Sequence, residues 1–334
     1  MIPVLKPKFN KKQINNIKKE LGKILELGWI GYGQKTQEFE KEWAKFTGAK
    51  YAIATNSCTS ALDIAVRLVK LPNPVKVSAF TFISSALAPL NAGYDVEFVD
   101  INEKTLCSDK SDIQVMYAGN QAGEGIIYDM AHSSGAKHKG LISCWSFHAV
   151  KNLPVGDGGM ITMNSKELYE KARVYSWCGI NKSTFERTGK KYNWDYDITE
   201  KGLKAHMNDI TAIIGLEQLK TLKINNEYRK KLSEYYNKYL PSFIERPYKS
   251  DTWHLYTIRV DDRDGLADYL SNLGYSTGVH YKPLYKYAIF GKSIDLPVTE
   301  KVFKEIITLP LHLDIKVSDI KKICGAINQY YSKK

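Results

Sequence analysis

Residues 144–160 read CWSFHAVKNLPVGDGGM, and this is the most informative segment of the sequence. The mostly apolar run that ends at Ser146 predicts a buried strand. Lys151 follows in a turn of small and polar residues. Three glycines then lie within four positions, from Gly156 to Gly159. A lysine is most often a surface residue. Whether Lys151 has a functional role therefore depends on which polar groups follow the neighbouring strands.

Two other segments place polar groups where predicted strands end. Asp129 closes the apolar run IIYD, so it points from the carboxyl edge of a sheet, where open α/β folds bind ligands. Ser57, Cys58 and Thr59 follow the strand YAIAT and precede a helix, whose N-terminus presents backbone N–H groups. A phosphate cradle, a strand-end carboxylate and a nucleophilic lysine are the groups needed to hold pyridoxal phosphate (PLP).

Short apolar strands alternate with helical patterns along the first two thirds of the chain. They are predicted over residues 51–55, 76–79, 96–100, 125–129, 141–146 and 159–163. This alternation predicts a mainly parallel sheet in a three-layer α/β domain. The C-terminal third instead predicts strands over 253–260, 275–281 and 306–311 with two helices. We therefore expect a large domain with an N-terminal arm over residues 1–240 and a smaller α+β domain over residues 241–334.

The composition limits the possible functions. The 334 residues are 43% hydrophobic and 25% charged, which is typical of a globular protein. The net charge is +12, but the basic residues are scattered, without the block or motif of nucleic-acid readers. No secretory signal or membrane-length apolar segment is present, and the five cysteines lack CxxC spacing. We expect a cytoplasmic protein without a metal, a nucleic-acid partner or a membrane partner.

The order of these motifs resembles the DegT-type (DegT/DnrJ) nucleotide-sugar aminotransferases, which use PLP on the aspartate-aminotransferase fold. The resemblance runs nearly end to end, through IPVLKP, GWIGYGQKTQEFEKEWAKFTGAKYAIATNSCTSAL, SAFTFISSALAPLNAG, VEFVDIN, YDMAHSSGA, SFHAVKNLPVGDGGM, GLKAHMNDITAIIGLEQL and GVHYKPL. It implies PLP-dependent transferase fold type I, with a three-layer αβα large domain and a smaller C-terminal α+β domain.

The resemblance also implies the residues around the cofactor ring. Lys151 would form the Schiff base with PLP and move protons, and Asp129 would pair with the ring nitrogen. Phe82 would lie on one face of the ring, and His132 near the ring hydroxyl or on the other face. Both have an alternative as core residues, because Phe82 lies in an apolar run and a buried histidine can be purely structural.

Further positions would hold the phosphate and the substrate. The phosphate would be bound by Ser57, Cys58, Thr59 and Ser146. Lys204, in GLKAHMNDI, falls where the family reaches the phosphate from the neighbouring subunit, so a homodimer with active sites at its interface is implied. The sugar substrate would face His280 and Tyr281.

Two features depart from the family pattern. Cys58 replaces the usual glycine of the phosphate turn, and a side chain resists the backbone conformation that a tight turn can require. Only about 16 residues separate Asp112 from Asp129, where the family fits another strand and helix. We expect a shortened sheet region beside the cofactor.

The implied function is amino transfer from an amino acid, most simply L-glutamate, to a keto-sugar nucleotide, a 4-keto- or 3-keto-6-deoxyhexose. The product would be an amino-deoxy sugar for a surface glycan. Two alternatives stay open: a cyclitol aminotransferase, and a catalytically retired PLP-fold protein with a binding or regulatory role. Family members that dehydrate sugars carry histidine in place of the lysine, so Lys151 disfavours that reaction.

Overall fold

A mixed sheet forms the centre of the computed structural model, which describes residues 1–181, 195–247, 249–291 and 294–333. Its strands are β1 (Tyr51–Thr55), β2 (Val75–Ser78), β3 (Val96–Val99), β4 (Ile113–Val115), β5 (Ile127–Asp129), β6 (Ile142–Ser146) and β7 (Gly159–Met163). Their order is β1-β7-β6-β5-β4-β2-β3. The strands from β3 to β6 are parallel, and β7 is antiparallel to both of its neighbours.

Helices cover both faces of this sheet. They are α1 (Lys11–Leu27), α2 (Gln34–Thr47), α3 (Cys58–Leu68), α4 (Ser84–Asn91), α5 (Lys166–Ser176) and α6 (Asp209–Tyr239). Cys144 of β6 packs into the core under α3, α4 and α5, whereas its neighbour Trp145 packs under α2 and α6. Successive side chains of a strand point to opposite faces, so both faces of β6 are apolar because both are covered. The predicted three-layer α/β architecture is confirmed.

A second apolar core lies in the C-terminal part of the chain. It is built on the antiparallel pair β8 (Tyr256–Arg259) and β9 (Ile306–Leu309), with α7 (Arg263–Asn272) and α9 (Val317–Ser332). Leu266 and Ile323 from its helices pack there together with Tyr236 from the end of α6. The helix α8 (Pro297–Glu305) precedes β9, and its Val302 packs in a separate apolar cluster with Phe80 and Tyr117. The domain division between residues 240 and 241 stays a prediction. Across the described residues, no helix combines the length and apolarity needed to span a membrane.

Two local predictions differ from the structure. Residues 275–281 do not form the predicted strand, because they meet their neighbours only through single bridges, Ile2 with Tyr275 and Gly278 with Thr308. Conversely, β4 was not predicted from the sequence, since three residues are too short to show a period. The region between Asp112 and Asp129 therefore keeps a short strand, and a 3₁₀ turn, Tyr117–Gly119, takes the place of the helix that the family fits there.

A segment from far along the chain covers this short turn. The Ser250 hydroxyl donates to the carbonyl of Ala118 at 2.8 Å, and the Asp251 N–H donates to the carbonyl of Gly119 at 3.1 Å. The Thr252 hydroxyl donates to the carbonyl of His132 at 2.8 Å. Residues 250–252 thus close the sheet edge beside the end of β5.

Candidate active site

Asp129 is a buried carboxylate at the carboxyl end of β5. Its Oδ2 accepts from the Ser85 hydroxyl at 2.7 Å, and its Oδ1 accepts from the Ala131 N–H at 3.0 Å. Burial raises the pKa of this carboxyl group, while these two hydrogen bonds and the amine of Lys151 oppose the rise. Carboxylate oxygens have more acceptor sites than these bonds occupy, so Asp129 can accept from a further protonated group.

Lys151 lies in the turn after β6 and is half-buried. Its Nζ lies 3.4 Å from Nε2 of His254. Burial lowers the pKa of Lys151 to about 8, from 10.5 for an exposed lysine, and the charge of Asp129 opposes the decrease. A large fraction of the amine is therefore neutral and nucleophilic near pH 8, as Schiff-base chemistry requires.

The N-terminus of α3 adjoins these two groups. Ser57 caps the helix by accepting the Ser60 N–H at 3.1 Å, and the first turn of any helix has N–H groups without intrahelical acceptors. A Cβ on Gly159 would lie 2.4 Å from the carbonyl carbon of Ser57, so only glycine lets β7 approach this turn. The Cys58 thiol lies 4.0 Å from Oδ1 of Asp129, which joins the helix end to the carboxylate.

The backbone conformation of Cys58 accommodates a side chain at the turn where the family has glycine. Cys58 is the first residue of α3, and it is not among the positive-φ residues of the described chain. The conformation here is one that any L-residue adopts, so a side chain is tolerated and its backbone N–H remains at the helix end. The neighbouring predicted phosphate ligands are an exposed Thr59, whose hydroxyl lies 2.7 Å from that of Ser84, and a buried Ser146.

Aromatic side chains surround the space above Asp129. Nδ1 of His132 accepts from the Ala118 N–H at 3.1 Å, so Nε2 carries the ring proton and donates to the Tyr281 hydroxyl at 2.9 Å. Burial holds the pKa of His132 well below its usual range, which keeps the ring neutral. Phe82 is 57% exposed, and its ring centroid lies 6.3 Å from that of Tyr281. An exposed phenylalanine is not a core residue, and its exposure favours the predicted role at the ring face.

His280 and Tyr281, the predicted substrate residues, adjoin the same space. Nδ1 of His280 lies 2.8 Å from the Thr308 hydroxyl, and the His280 carbonyl accepts from the Tyr117 hydroxyl at 2.5 Å. Burial and the charge of Lys151 lower the pKa of His280 to about 4. The His280 side chain is held by Thr308 of β9, and the Tyr281 side chain is held by His132, which follows β5.

Lys204 does not join this cluster. Its side chain is exposed, and its amine lies 5.9 Å from the ring centroid of Trp177. Both residues line a groove of about 1140 Å³ together with Tyr32, Arg173 and His206. Among the contacts of the described residues, Lys204 has none with Asp129, Lys151 or Ser57.

Several polar residues of the site were missed by the sequence analysis. Ser85 binds Asp129, and Asn152, Asn226 and His254 form a buried hydrogen-bonded group next to Lys151. His254 lies in WHLYTIRV, which was interpreted only as a strand. The available signal was the presence of Thr252, His254 and Thr257 in a segment that is otherwise mostly apolar.

The donor set of this site fits PLP. Asp129 would hold the ring nitrogen, the amine of Lys151 would hold the aldehyde carbon, and the N-terminus of α3 would hold the phosphate. The supporting observations are the glycine-dependent approach at Gly159 and the lowered pKa of Lys151. Within the described part of the chain, no group of three His, Cys, Asp or Glu side chains is placed to bind a metal.

A seven-stranded mixed sheet with these groups at its carboxyl edge defines a PLP-dependent enzyme of fold type I. The model of the DegT/DnrJ/EryC1/StrS aminotransferase family matches residues 11–122 and 114–328. The chain therefore belongs to this family and is an aminotransferase that uses PLP. The resemblance stated from the sequence, its fold class and its cofactor are confirmed.

Individual relatives match over nearly their whole length. The spore coat polysaccharide biosynthesis protein SpsC of Bacillus subtilis is 31% identical, with 98% of this chain and 96% of SpsC covered. The UDP-4-amino-4,6-dideoxy-N-acetyl-beta-L-altrosamine transaminase of Campylobacter jejuni is 28% identical, with 86% and 88% covered. A structure of Spr1654 from Streptococcus pneumoniae in its PLP-form is 26% identical, with a TM-score of 0.86 and 99% of both chains covered.

Proposed function

We propose that this protein transfers the amino group of L-glutamate to a keto-sugar nucleotide, a 4-keto- or 3-keto-6-deoxyhexose, in the synthesis of an amino-deoxy sugar for a surface glycan. The observation that carries amino transfer is that Lys151 and Asp129 lie close enough for the charge of each to act on the pKa of the other. The sugar class is supported by the names of the relatives, one a polysaccharide biosynthesis protein and one a UDP-amino-sugar transaminase.

Lys151 is the residue that we assign to proton transfer. When bound, PLP supplies an electron sink that stabilises negative charge at the α-carbon of the amino acid. The released Lys151 amine takes the proton from that α-carbon, and its pKa of about 8 suits a general base near neutral pH. Asp129 would hold a proton on the ring nitrogen, because a buried carboxylate stabilises a positively charged partner.

His132 and Tyr281 form the part of the site that we assign to the sugar substrate. Because His132 donates from Nε2 to the Tyr281 oxygen, the Tyr281 hydroxyl keeps its own hydrogen for another acceptor. Burial raises the pKa of Tyr281, so this hydroxyl stays protonated. We propose that it donates to a sugar oxygen, beside Phe82 and His280. The net charge of +12 suits the diphosphate of a nucleotide sugar.

We further propose a cytoplasmic homodimer in which Lys204 completes the phosphate site of the partner subunit. Lys204 lines the groove of about 1140 Å³, where its amine lies over the ring of Trp177. A lysine provides a compact positive charge for phosphate. The five cysteines are free, which suits a reducing compartment.

The test of the substrate class is the second half-reaction. Protein loaded with PLP is treated with L-glutamate and separated from it. It is then mixed with UDP- and dTDP-linked 4-keto- and 3-keto-6-deoxyhexoses or, in a separate reaction, with a cyclitol ketone, and mass spectrometry measures the aminated product. We expect amination of at least one nucleotide sugar by the wild type and none by Lys151→Ala. Amination of a cyclitol ketone alone would contradict the nucleotide-sugar proposal, and no amination of any ketone would favour the retired-enzyme alternative.

A further inference from the structure

His254 contacts the lysine of the site from the C-terminal part of the chain. It is 2% exposed and lies just before β8, with Nε2 3.4 Å from Nζ of Lys151. Its ring centroid lies 4.5 Å from that of His132. The other ring nitrogen, Nδ1, lies 3.1 Å from Oδ1 of Asn152, the residue that follows Lys151. Both nitrogens of His254 are thus engaged, one with the lysine and one with the lysine's chain neighbour.

A chain of hydrogen bonds determines which nitrogen of His254 carries the proton. Asn226 donates from Nδ2 to the carbonyl of Ser134 at 2.9 Å, so its Oδ1 faces Asn152. Asn152 donates from Nδ2 to that Oδ1 at 2.9 Å and to the carbonyl of Thr252 at 2.7 Å. Two backbone carbonyls, which can only accept, therefore fix both amides. Oδ1 of Asn152 is left as an acceptor, so Nδ1 of His254 must be the donor.

We infer that His254 is the positioning residue of Lys151: fixed as the Nδ1–H tautomer by Asn152, it presents the bare Nε2 to the lysine amine. A bare Nε2 accepts an N–H of the amine and cannot donate to the amine's lone pair. The opposite tautomer would donate to that lone pair and block it. The Asn226–Asn152–His254 chain thus holds the free amine while keeping it nucleophilic. This inference rests on the proposed role of Lys151.

The charges around His254 support a neutral ring. The titratable groups that face it are Lys151, His132, His280 and Arg229, and all are basic. Burial and these neighbours hold the pKa of His254 well below its usual range. An imidazolium, which would have no lone pair to offer the amine, is therefore disfavoured.

The tautomer is tested directly on the wild-type apoprotein. Histidine-selective ¹⁵N labelling and long-range ¹H–¹⁵N NMR distinguish the two neutral tautomers and the imidazolium, and the spectrum of His254→Asn identifies the His254 signals. We expect an Nδ1–H tautomer with bare Nε2 throughout the range from pH 6 to pH 9. An Nε2–H tautomer, or a cation within that range, would overturn the inference.

A matched pair of variants tests the effect on Lys151. His254→Asn places an amide donor near the position of the histidine Nδ1. The variant therefore keeps a contact with Asn152 but has no atom within hydrogen-bond distance of the Lys151 amine. His254→Gln is longer and offers its amide oxygen near the Nε2 position. The measured quantity is the rate of PLP uptake by the apoprotein as a function of pH, followed as the absorption band that Lys151→Ala lacks.

We expect His254→Asn to lower the rate at high pH by about 10-fold, because the amine is no longer oriented. The midpoint of its profile should also move down by roughly one pH unit, since the ammonium loses an acceptor. His254→Gln should recover most of both changes. A purely structural His254 would leave the midpoint of correctly folded His254→Asn unchanged, which would overturn the inference. No uptake by the wild type would instead overturn the proposed role of Lys151, on which the inference depends.

Discussion

The two lysines assigned to the cofactor lie in opposite surroundings. Lys151 is half-buried, and two residues of its own chain act on its amine. His254 contacts the amine, and the charge of Asp129 opposes the decrease of its pKa. Lys204 is exposed in the groove of about 1140 Å³. Beside it, within the described residues, the buried Nε1 of Trp177 and Nδ1 of His206 have no hydrogen-bond partner. The groups that we assign to the cofactor ring thus come from a single chain. At Lys204, by contrast, buried polar atoms are left without a hydrogen-bond partner, and we propose that a neighbouring subunit would supply one.

Removing Lys151 should have the largest effect, because it breaks the side that one chain completes. Lys151→Ala should lower the rate of the glutamate half-reaction by about 10⁴-fold or more, since the amine is both the cofactor ligand and the base. The measurement is the single-turnover rate with L-glutamate. Lys166→Ala, which changes an exposed lysine on α5, serves as the control and should react like the wild type.

Asp129→Asn should have the next largest effect. The variant keeps the shape of the side chain but loses the negative charge that holds a proton on the ring nitrogen. We expect the half-reaction to slow by about 10²–10³-fold, as for the loss of one preorganised electrostatic group. Ser85→Ala removes only one hydrogen bond to Asp129 and should cost far less. Equal losses for both variants would contradict a role based on charge.

A hybrid experiment tests the Lys204 side. Lys204→Ala should weaken PLP binding by about 10-fold through loss of one charge-assisted contact, while Lys201→Ala, at a neighbouring exposed lysine, should not. Lys151→Ala and Lys204→Ala chains are co-expressed and the hybrid of the proposed dimer is purified. If Lys204 acts across the interface, one site of the hybrid has both native lysines, and titration should show one tight PLP site per dimer. If it acts within its own chain, no site of the hybrid would show native affinity.

The fold could be predicted from the sequence where an element shows its own period. Strands such as β1 and β7 are apolar over five residues between polar turns, and both were predicted with their observed bounds. β4 is only three residues long, so no period is visible. Residues 275–281 have the pattern of a strand. Among the described residues, however, they form only a single bridge with Ile2 on one side and with Thr308 on the other.

The site could be predicted only in part, for a related reason. Lys151 and Asp129 carry a local signal because each follows a strand, and parallel strands end at one edge of a sheet. His254 lies 103 positions from Lys151 along the chain, and no local pattern links them. The cover over residues 117–119 likewise comes from residues 250–252.

The pH dependence of the wild type sharpens the account of Lys151. Burial lowers its pKa to about 8, so the neutral amine fraction rises with pH up to about 8 and then saturates. The rate of PLP uptake by the apoprotein should increase about tenfold per pH unit below that value and level off above it. A rate that continues to rise through pH 10 would show a lysine with an ordinary pKa and would contradict the buried environment.

The most direct test of the central claim is the visible absorption spectrum of the purified protein with PLP, recorded before and after addition of L-glutamate. We predict a band that Lys151→Ala lacks and that glutamate converts to the absorption of pyridoxamine phosphate. A wild-type protein that forms no such band would contradict the assignment of Lys151. A band that no amino acid changes would contradict amino transfer.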